Sequence, residues 1–372
     1  MILALREIRR ALVRFGLLVC AIALLVFLIL FQQALRDGLI TGFVGALRNQ
    51  SAPVLVYSVD AQRTLQGSVI QPSLERQITG ADGVGASAQI GAGTFTIEVA
   101  GDEKDASLLG TEDLALFQPA DLSSGRRPTG PLEAVGSAAD FSVGDSVKVV
   151  PAQGGQAVTI KVVGLARDVQ LSVTPTLFTD LASFQMATNA ANPEATKLLP
   201  NAIALRPKPG VTAAELVATI NAATPDAEAL TRADAADKSP GVAQVTQSFQ
   251  VIFLLYGLVV PLVTGLFFLI LTLQKSGSLT LLRAIGARSS TLARSLLLQV
   301  VIVIGLGLAL GIALYYPLSQ AQVGGLTLRF DVTTVVIWAV LLMVLALISS
   351  LASLRRVLRI DPLEATTGGG FR

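Results

Sequence analysis

Four long apolar runs constrain this chain more than any other feature of its sequence. Charged residues are absent from residues 15–35, 239–274, 295–328 and 332–354. About 20 consecutive apolar residues are enough to cross a bilayer as a helix. The chain is 52% hydrophobic and only 15% charged, whereas about 25% charged residues is usual in soluble domains. The sequence therefore predicts an α-helical membrane protein. The four predicted transmembrane helices are residues 15–35, 248–274, 295–316 and 332–354.

The stretch between the first two predicted spans, residues 36–247, has a different composition, rich in Gly, Ala, Ser, Thr, Asp and Pro. β-branched runs predict strands at 54–59, 94–99, 147–150 and 158–163. Helices are predicted at 73–78, 181–188 and 212–223, the last opened by a capping box of Thr212 and Glu215. About 200 residues can bury a core. We expect one large α+β domain, with one or two lobes, inserted between spans 1 and 2.

Three shorter features of this stretch are interpreted as connections between elements. Residues 123–131 are predicted to be a loop at a strand or lobe boundary, and Gly144-Asp145 a turn. The glycine-rich residues 80–93 lack the dinucleotide-binding fingerprint and are interpreted as loop and strand. Residues 242–250 are polar but compatible with a helix, so they are interpreted as a stalk leading into the second span.

The charge distribution predicts which segments face the cytoplasm. Residues 1–14, 275–294 and 355–372 together hold twelve Lys or Arg and three acids, a net charge of +9, and the rest of the chain has a net charge of −7. Short basic segments stay on the cytoplasmic side. We therefore expect both termini inside, with residues 36–247 and the short loop 317–331 outside the cell membrane. A domain with this acidic balance gives no support for nucleic-acid binding.

The N-terminal residues 1–14 carry four arginines and a rough apolar face. They predict an amphipathic cytoplasmic helix that runs into the first span. A cleavable signal peptide is the alternative. The apolar run is long for a signal core, and no small-x-small cleavage site follows it, which favours a retained helix.

The residues that carry enzyme chemistry are largely missing. The chain has no His, which excludes His-based triads and His metal sites, and no Walker A loop. Cys20 is alone, so no intramolecular disulfide forms, and it is interpreted as a small buried hydrophobe in the first span. The scattered carboxylates Asp113, Glu133, Asp140 and Asp145 are interpreted as solvated surface. We expect no catalytic residues, metal or cofactor in this chain.

The predicted cytoplasmic loop 275–294 contains a short amphipathic segment. Ser278 is a candidate N-cap, residues 279–285 a candidate helix, and Gly286 its predicted end. Leu281, Leu282 and Ile285 share one face at helical spacing. An amphipathic helix in this position either rests on the membrane surface or docks into a cytoplasmic partner, and the pattern alone fits both.

Two motifs resemble those of a known family. The pattern K-x-x-x-x-x-L-L-R-A-I-G-A at residues 275–287 resembles the signature loop of FtsX-like (MacB-type, or type VII) permeases, the membrane subunits of a class of ABC transporters. The tail RRVLRIDPLEA at 355–365 is similar to the C-terminal end of the same family. The VGDSVKV run at 143–149 resembles a β element of the extracytoplasmic core domain of MacB-type members. The four-span layout is most similar to the haem-exporter and DevC-like branch.

The resemblance implies a permease that works as a homodimer in membrane lipid with a separate ABC ATPase subunit. It implies efflux of a hydrophobic or amphipathic substrate, with haem as a candidate. The alternative it leaves open is an FtsX-like scaffold that transmits ATPase motion to an extracytoplasmic partner such as a cell-wall hydrolase. A membrane-anchored enzyme is a third hypothesis, and no recognisable set of catalytic residues supports it. The residues implied to couple to the ATPase are Leu281, Leu282, Arg283, Ile285, Gly286 and Arg288.

Candidate substrate-binding residues lie near the ends of the first two spans. Without His, a haem ligand must be Tyr, Met, Cys or a carboxylate. Gln32, Gln33 and Tyr256 are polar residues near membrane level. Anchoring in an aromatic belt is the simpler interpretation of Tyr256, and of Tyr315 and Tyr316. Gly257, Pro261 and Gly265 share one face of span 2, and Gly307 and Gly311 one face of span 3; these faces are either ordinary packing surfaces or parts of a gate.

The predicted topology can be tested by introducing single cysteines at Ser123 and Ser289 in a Cys20→Ala background. A membrane-impermeant thiol reagent applied to intact cells is expected to label position 123 and leave position 289 unlabelled until the cells are opened. Labelling of position 289 but not of position 123 in intact cells would refute the layout.

Overall fold

The computed structural model describes residues 12–153, 155–195, 198–274, 289–319, 322–323, 326–327 and 330–358. The chain divides into two compact units. Unit one, here called the helical unit, comprises Met1–Asp37 and Gln247–Arg372, and unit two, the β-rich domain, comprises Gly38–Thr246. Within the helical unit, the coupling residues and most of the two basic termini lie outside the described residues.

The described helices and strands alternate with short connections. The helices are α1 (Leu12–Arg48), α2 (Pro72–Thr79), α3 (Leu181–Ala191), α4 (Ala213–Ala223), α5 (Arg232–Asp237), α6 (Val242–Gln274), α7 (Ser289–Leu318) and α8 (Val332–Leu358). The strands are β1 (Val54–Ser58), β2 (Val84–Val99), β3 (Asp102–Thr111), β4 (Ser124–Gly125), β5 (Glu133–Ser137), β6 (Ser146–Val149), β7 (Val158–Ala166), β8 (Thr176–Asp180), β9 (Ala202–Pro207), β10 (Ala227–Thr231), β11 (Gln322–Val323) and β12 (Leu326–Thr327).

Four of the described helices, α1, α6, α7 and α8, are long and apolar enough to cross a membrane. The predicted α-helical class with four spans is thereby confirmed. Helix α1 does not end at the predicted boundary, residue 35, but continues to Arg48. Beyond Asp37 its apolar residues resume at helical spacing, and Ile40, Val44 and Leu47 are buried in the core of the β-rich domain. Residues 242–250, expected to be a stalk, are the first turns of α6.

Packing inside the helical unit depends on small residues of α7. A Cβ atom added at Gly307 would lie 2.5 Å from Cγ2 of Ile22, and one added at Gly311 would lie 2.7 Å from the carbonyl oxygen of Ala23. Both glycines therefore allow α7 to approach α1 closely, as small residues do in membrane helix pairs. The interpretation of this face as a packing surface within one chain agrees with the structure.

Helix α6 shows a different pattern. It continues through Pro261, whose carbonyl oxygen accepts a 2.5 Å hydrogen bond from the hydroxyl of Ser349 on α8. Side-chain hydroxyls commonly support the backbone near a proline in a membrane helix. Gly257, by contrast, faces open space within this chain. The predicted face of Gly257, Pro261 and Gly265 is thus only partly covered by a neighbouring helix.

The β-rich domain is built on one mixed sheet. In the described residues the sheet has ten strands: nine follow the order β10-β1-β9-β2-β3-β8-β5-β7-β4, and the tenth, β6, pairs with both β2 and β7. The pairs β3–β8 and β5–β7 are parallel. The first half of the long β2 pairs with β9, and its second half pairs with β6. The sequence analysis left open whether this domain has one lobe or two, and the structure shows a single sheet.

Three apolar clusters are buried against this sheet. One contains Tyr57, Phe117 and Phe178 together with the end of α1. A second surrounds Phe95 and Phe184, whose rings meet edge to face at 5.8 Å. A third packs α2 and α4 onto β1 and β9. The predicted strands at 54–59, 94–99, 147–150 and 158–163 all fall on strands of this sheet, and the predicted capping box of Thr212 and Glu215 opens α4.

The segment 123–131 is a loop, as predicted, apart from the short β4, and it is ordered by ionic contacts. Arg126 pairs with Glu133, and the backbone N–H of Thr129 donates to the same carboxylate at 2.9 Å. The Arg126 guanidinium lowers the pKa of Glu133 to about 2. Arg127 donates to the carbonyl oxygen of Ala120 at 3.0 Å. The loop is therefore tied to the chain on both sides.

The packing of α7 on α1 generates a stability prediction. Gly311→Ala is expected to destabilise the protein by about 1–3 kcal/mol because the new methyl group overpacks against backbone. Gly305→Ala, on the same helix and facing open space, is the matched control and is expected to be neutral or stabilising by about 0.5–1 kcal/mol. Thermal unfolding of the purified full-length variants in detergent measures the difference. Equal melting temperatures would mean that Gly311 does not face α1.

Candidate functional site

A polar cluster interrupts the apolar surface of α1. Nε2 of Gln33 donates to Oδ2 of Asp37 at 3.1 Å. Nη1 of Arg36 lies 3.6 Å from Oδ1 of the same carboxylate. Gln33 and Asp37 are one helical turn apart and so lie on the same face. Ionisable residues within a candidate span mark a functional site more often than a structural one. We therefore treat Gln33, Arg36 and Asp37 as the centre of the candidate site.

Aromatic side chains gather at the corresponding ends of the other three long helices. The ring of Phe330 stacks on Tyr315 at 6.0 Å and meets Tyr316 edge to face at 5.4 Å. The ring of Phe253 on α6 lies 5.2 Å from Trp338 on α8. Aromatic residues concentrate where membrane helices meet water. Rings of this kind are therefore typical of the ends of membrane-spanning helices.

The structure brings together only some of the predicted substrate residues. Gln32 and Gln33 are half-buried on α1, and Tyr256 is half-buried on α6, packed against the apolar cluster of the four helices. Within the described part of the chain, Tyr256 makes no hydrogen bond to either glutamine. Gln33 instead contacts Asp37, which the sequence prediction had left outside the first span. The sequence did contain a sign that Asp37 lies on the same helix. The adjacent Arg36 and Asp37 are followed by apolar residues that continue at helical spacing.

One cleft in the described interior of the helical unit is too small for a ligand. A cleft where all four long helices meet, lined by Val26, Val260, Thr264, Ile304 and Leu342, has a volume of about 10 Å³. A single water molecule occupies about 30 Å³ in the liquid. This cleft cannot hold an organic substrate, so the polar cluster at the surface of α1 is the better candidate.

The remaining sequence-based site prediction concerns residues outside the described part of the chain. Leu281, Leu282, Arg283, Ile285, Gly286 and Arg288 lie outside the described residues, so their assignment to ATPase coupling stays a prediction. Among the described residues, no group of three or more Cys, Asp or Glu side chains could hold a metal ion.

Comparison with known families relates three of the four long helices to one family. Residues 250–362 match the family described as FtsX-like permease C-terminal. The chain carries an FtsX-like permease domain. The matched residues include most of α6 and all of α7 and α8, together with the undescribed residues 275–288, so the permease domain contains the predicted coupling segment.

Relatives extend the similarity beyond the permease domain. The chain is 26% identical over 371 residues to a protein of Staphylococcus epidermidis (strain ATCC 12228 / FDA PCI 1200) named as the hemin transport system permease protein HrtB, with 99% of each chain covered. A protein of the same name from Staphylococcus haemolyticus (strain JCSC1435) is 28% identical over 110 residues, covering 30% of this chain and 31% of the relative.

Two solved structures resemble the part of the chain outside the permease domain. The periplasmic region of MacB from Actinobacillus actinomycetemcomitans aligns with a TM-score of 0.35 and 12% identity, covering 55% of this chain and 94% of that one. The extracellular domain of the transporter YknZ from Gram-positive bacteria aligns with a TM-score of 0.30 and 11% identity, covering 49% of this chain and 100% of that one.

Proposed function

We propose that this chain is the membrane subunit of an ABC transporter that exports a hydrophobic or amphipathic molecule, with a haem-like macrocycle as the candidate substrate. A separate ATPase subunit supplies the energy. The observation that carries the proposal is the similarity to a hemin transport permease over 99% of both chains. The FtsX-like permease domain and the four apolar helices support the same function.

The polar cluster on α1 has the chemistry that a haem-like substrate requires. Such a molecule is flat and apolar, and it carries two carboxylates at one edge. Arg36 supplies a guanidinium for a carboxylate, and the aromatic rings near the cluster suit a flat macrocycle. The carboxylate of Asp37 and the phenol of Tyr256 are oxygen donors of the kind that ligate haem iron when no His is present. We propose that Gln32, Gln33, Arg36 and Asp37 bind the substrate from one side and Tyr256 from the other.

Two copies of the chain would form the working unit in the membrane. Helix α6 leaves a row of large apolar side chains exposed within one chain, at Leu254, Leu258, Leu262, Leu266 and Ile270. Residues four apart on a helix share a face. In a bilayer this face is covered by lipid or by a second copy, and we propose that the second copy covers part of it. The termini are proposed to be cytoplasmic and the β-rich domain extracytoplasmic.

A scaffold that transmits ATPase motion to an extracytoplasmic partner is the second candidate. The observation that favours it is helix α1, which contributes residues to both units without a break. A scaffold of this kind needs no substrate in the membrane. Stimulation of ATP hydrolysis by a small molecule therefore separates the two functions.

The substrate proposal predicts hemin binding by the purified full-length protein. Hemin is expected to give a Soret band distinct from that of hemin in detergent, and to stimulate ATP hydrolysis by the complex reconstituted with its ATPase. Gln33→Ala, Asp37→Asn or Tyr256→Phe should shift the band, because each removes a polar group at the proposed site. Tyr57→Phe, at a tyrosine buried in the β-rich domain, is the control.

Two outcomes would count against the substrate proposal. Spectra that are unchanged in all three variants would remove these residues from the site. A wild-type protein that neither binds hemin nor responds to it in the ATPase assay would remove the substrate itself.

The coupling proposal predicts a loss of partner binding. Leu282→Ala combined with Ile285→Ala is expected to leave the protein folded and inserted, since both residues lie between the spans. Truncating an anchor in a well-packed groove costs roughly 2–5 kcal/mol, so the ATPase should no longer co-purify and transport should stop. Thr280→Ala, which helical spacing places away from this face, is the control.

Co-purification of the ATPase in detergent, normalised to expression of the permease, measures the coupling effect. A helix that only rests on the membrane surface would give the opposite pattern, with reduced insertion and an intact complex. If the double variant binds the ATPase fully and transports fully, the assignment of these residues to ATPase coupling is wrong.

A further inference from the structure

The β-rich domain contains a cavity that the proposed transport function does not use. Its volume is about 550 Å³, within the range of about 300–1,000 Å³ typical of small-molecule sites. Helix α1 ends at its rim, the connection from β3 to β4 forms one wall, and the residues after β7 form another. Its polar and charged lining includes Arg48, Asn49, Asp121, Arg167, Asp168 and Arg232.

Three guanidinium groups from distant parts of the chain meet at this cavity. Two of them are fixed by a single contact: Nη2 of Arg48 lies 2.6 Å from Oδ1 of Asp237, and Nη1 of Arg232 donates to the carbonyl oxygen of Gln50 at 2.9 Å. Arg167 is exposed and makes no ion pair within the described chain. Because a guanidinium has five N–H donors, each of the three retains donors for a ligand.

The segments that line the cavity are held in place by hydrogen bonds from neighbouring side chains. Arg127 donates to the carbonyl oxygen of Ala120, and the hydroxyl of Ser123 donates to the carbonyl oxygen of Leu165 at 3.1 Å. The side-chain amide of Asn49 donates to the carbonyl oxygen of Asp168 at 2.6 Å. The cavity is therefore bounded by segments that are tied to the sheet and to α1.

The cavity is less acidic than its domain. Gly38–Thr246 holds 14 Lys or Arg and 21 Asp or Glu, a net charge of −7. Three arginines and two carboxylates, Asp121 and Asp168, line the cavity, and a third carboxylate, Asp237, pairs with Arg48. The guanidinium groups of Arg167 and Arg232 are not paired with a carboxylate within the described chain. Guanidinium groups bind planar or tetrahedral oxyanions through paired hydrogen bonds.

We propose that this cavity binds the phosphate or carboxylate group of a small, water-soluble anion. The ligand is expected to be water-soluble because polar loops of the β-rich domain line the site, and none of its lining residues comes from the helical unit. The site does not depend on which molecule crosses the membrane. It gives the domain a means of responding to an anionic solute on its own side of the membrane.

Calorimetric titration of the purified full-length protein in neutral detergent tests the site, with pyrophosphate and citrate as probes of the two chemistries. Wild-type protein is expected to bind at least one of them saturably. Arg167→Ala should weaken that binding at least tenfold, and Arg232→Lys should weaken it less, since the charge is kept but the paired hydrogen bonds are lost. The matched control is Arg76→Ala, an exposed arginine of α2 that does not line the cavity.

Thermal melts of each variant exclude unfolding as the cause of lost binding. Binding of pyrophosphate alone, or of citrate alone, would support the site and assign its chemistry. The proposal is overturned if neither probe binds the wild type. It is also overturned if Arg76→Ala weakens binding as much as Arg167→Ala, because general charge attraction would then explain the effect.

Discussion

The end of α1 is held by the loop between β7 and β8, which hydrogen-bonds to the backbone of its last turns. The N–H groups of Ser172 and Val173 donate to the carbonyl oxygens of Phe43 and Gly42 at 3.0 and 2.8 Å, and the N–H of Ala46 donates to the carbonyl oxygen of Gln170 at 2.9 Å. Gly45 makes this approach possible, because a Cβ atom there would collide with the carbonyl oxygen of Asp168. The loop adopts positive φ at Asp168, Ser172 and Val173, a conformation that non-glycine residues hold only where surrounding contacts stabilise it.

The polar cluster and the segment held by this loop belong to the same helix, α1. Gln33, Arg36 and Asp37 lie on α1, and the same helix continues to the residues that the loop grips. The anion cavity begins at Arg48, the last residue of this helix.

Sequence patterns predicted the local structure well and the long-range structure poorly. The four apolar runs, the turn before β6 and the capping box of Thr212 and Glu215 are visible because their physical causes are local. Helix α1 continues past residue 35, the predicted end of the first span, because residues beyond Arg36 and Asp37 are buried in the core of the β-rich domain, a contact that no local pattern shows. The meeting of Arg48, Arg167 and Arg232 depends on strand order, which no local pattern encodes. The coupling segment remains known from its sequence motif alone.

The absence of histidine from the whole chain constrains any haem chemistry under the proposed function. Axial ligation would fall to a carboxylate such as Asp37 or a phenol such as Tyr256, both oxygen donors. An exporter must release what it binds, and transport sites in general require binding strong enough for entry and weak enough for exit. Asp37 already shares its oxygens with Gln33 and Arg36, so a substrate would compete with existing partners rather than meet a free ligand. Such a site binds its substrate only while Gln33 and Arg36 release the carboxylate of Asp37. Under the proposed function this weak binding favours release of the substrate after ATP hydrolysis.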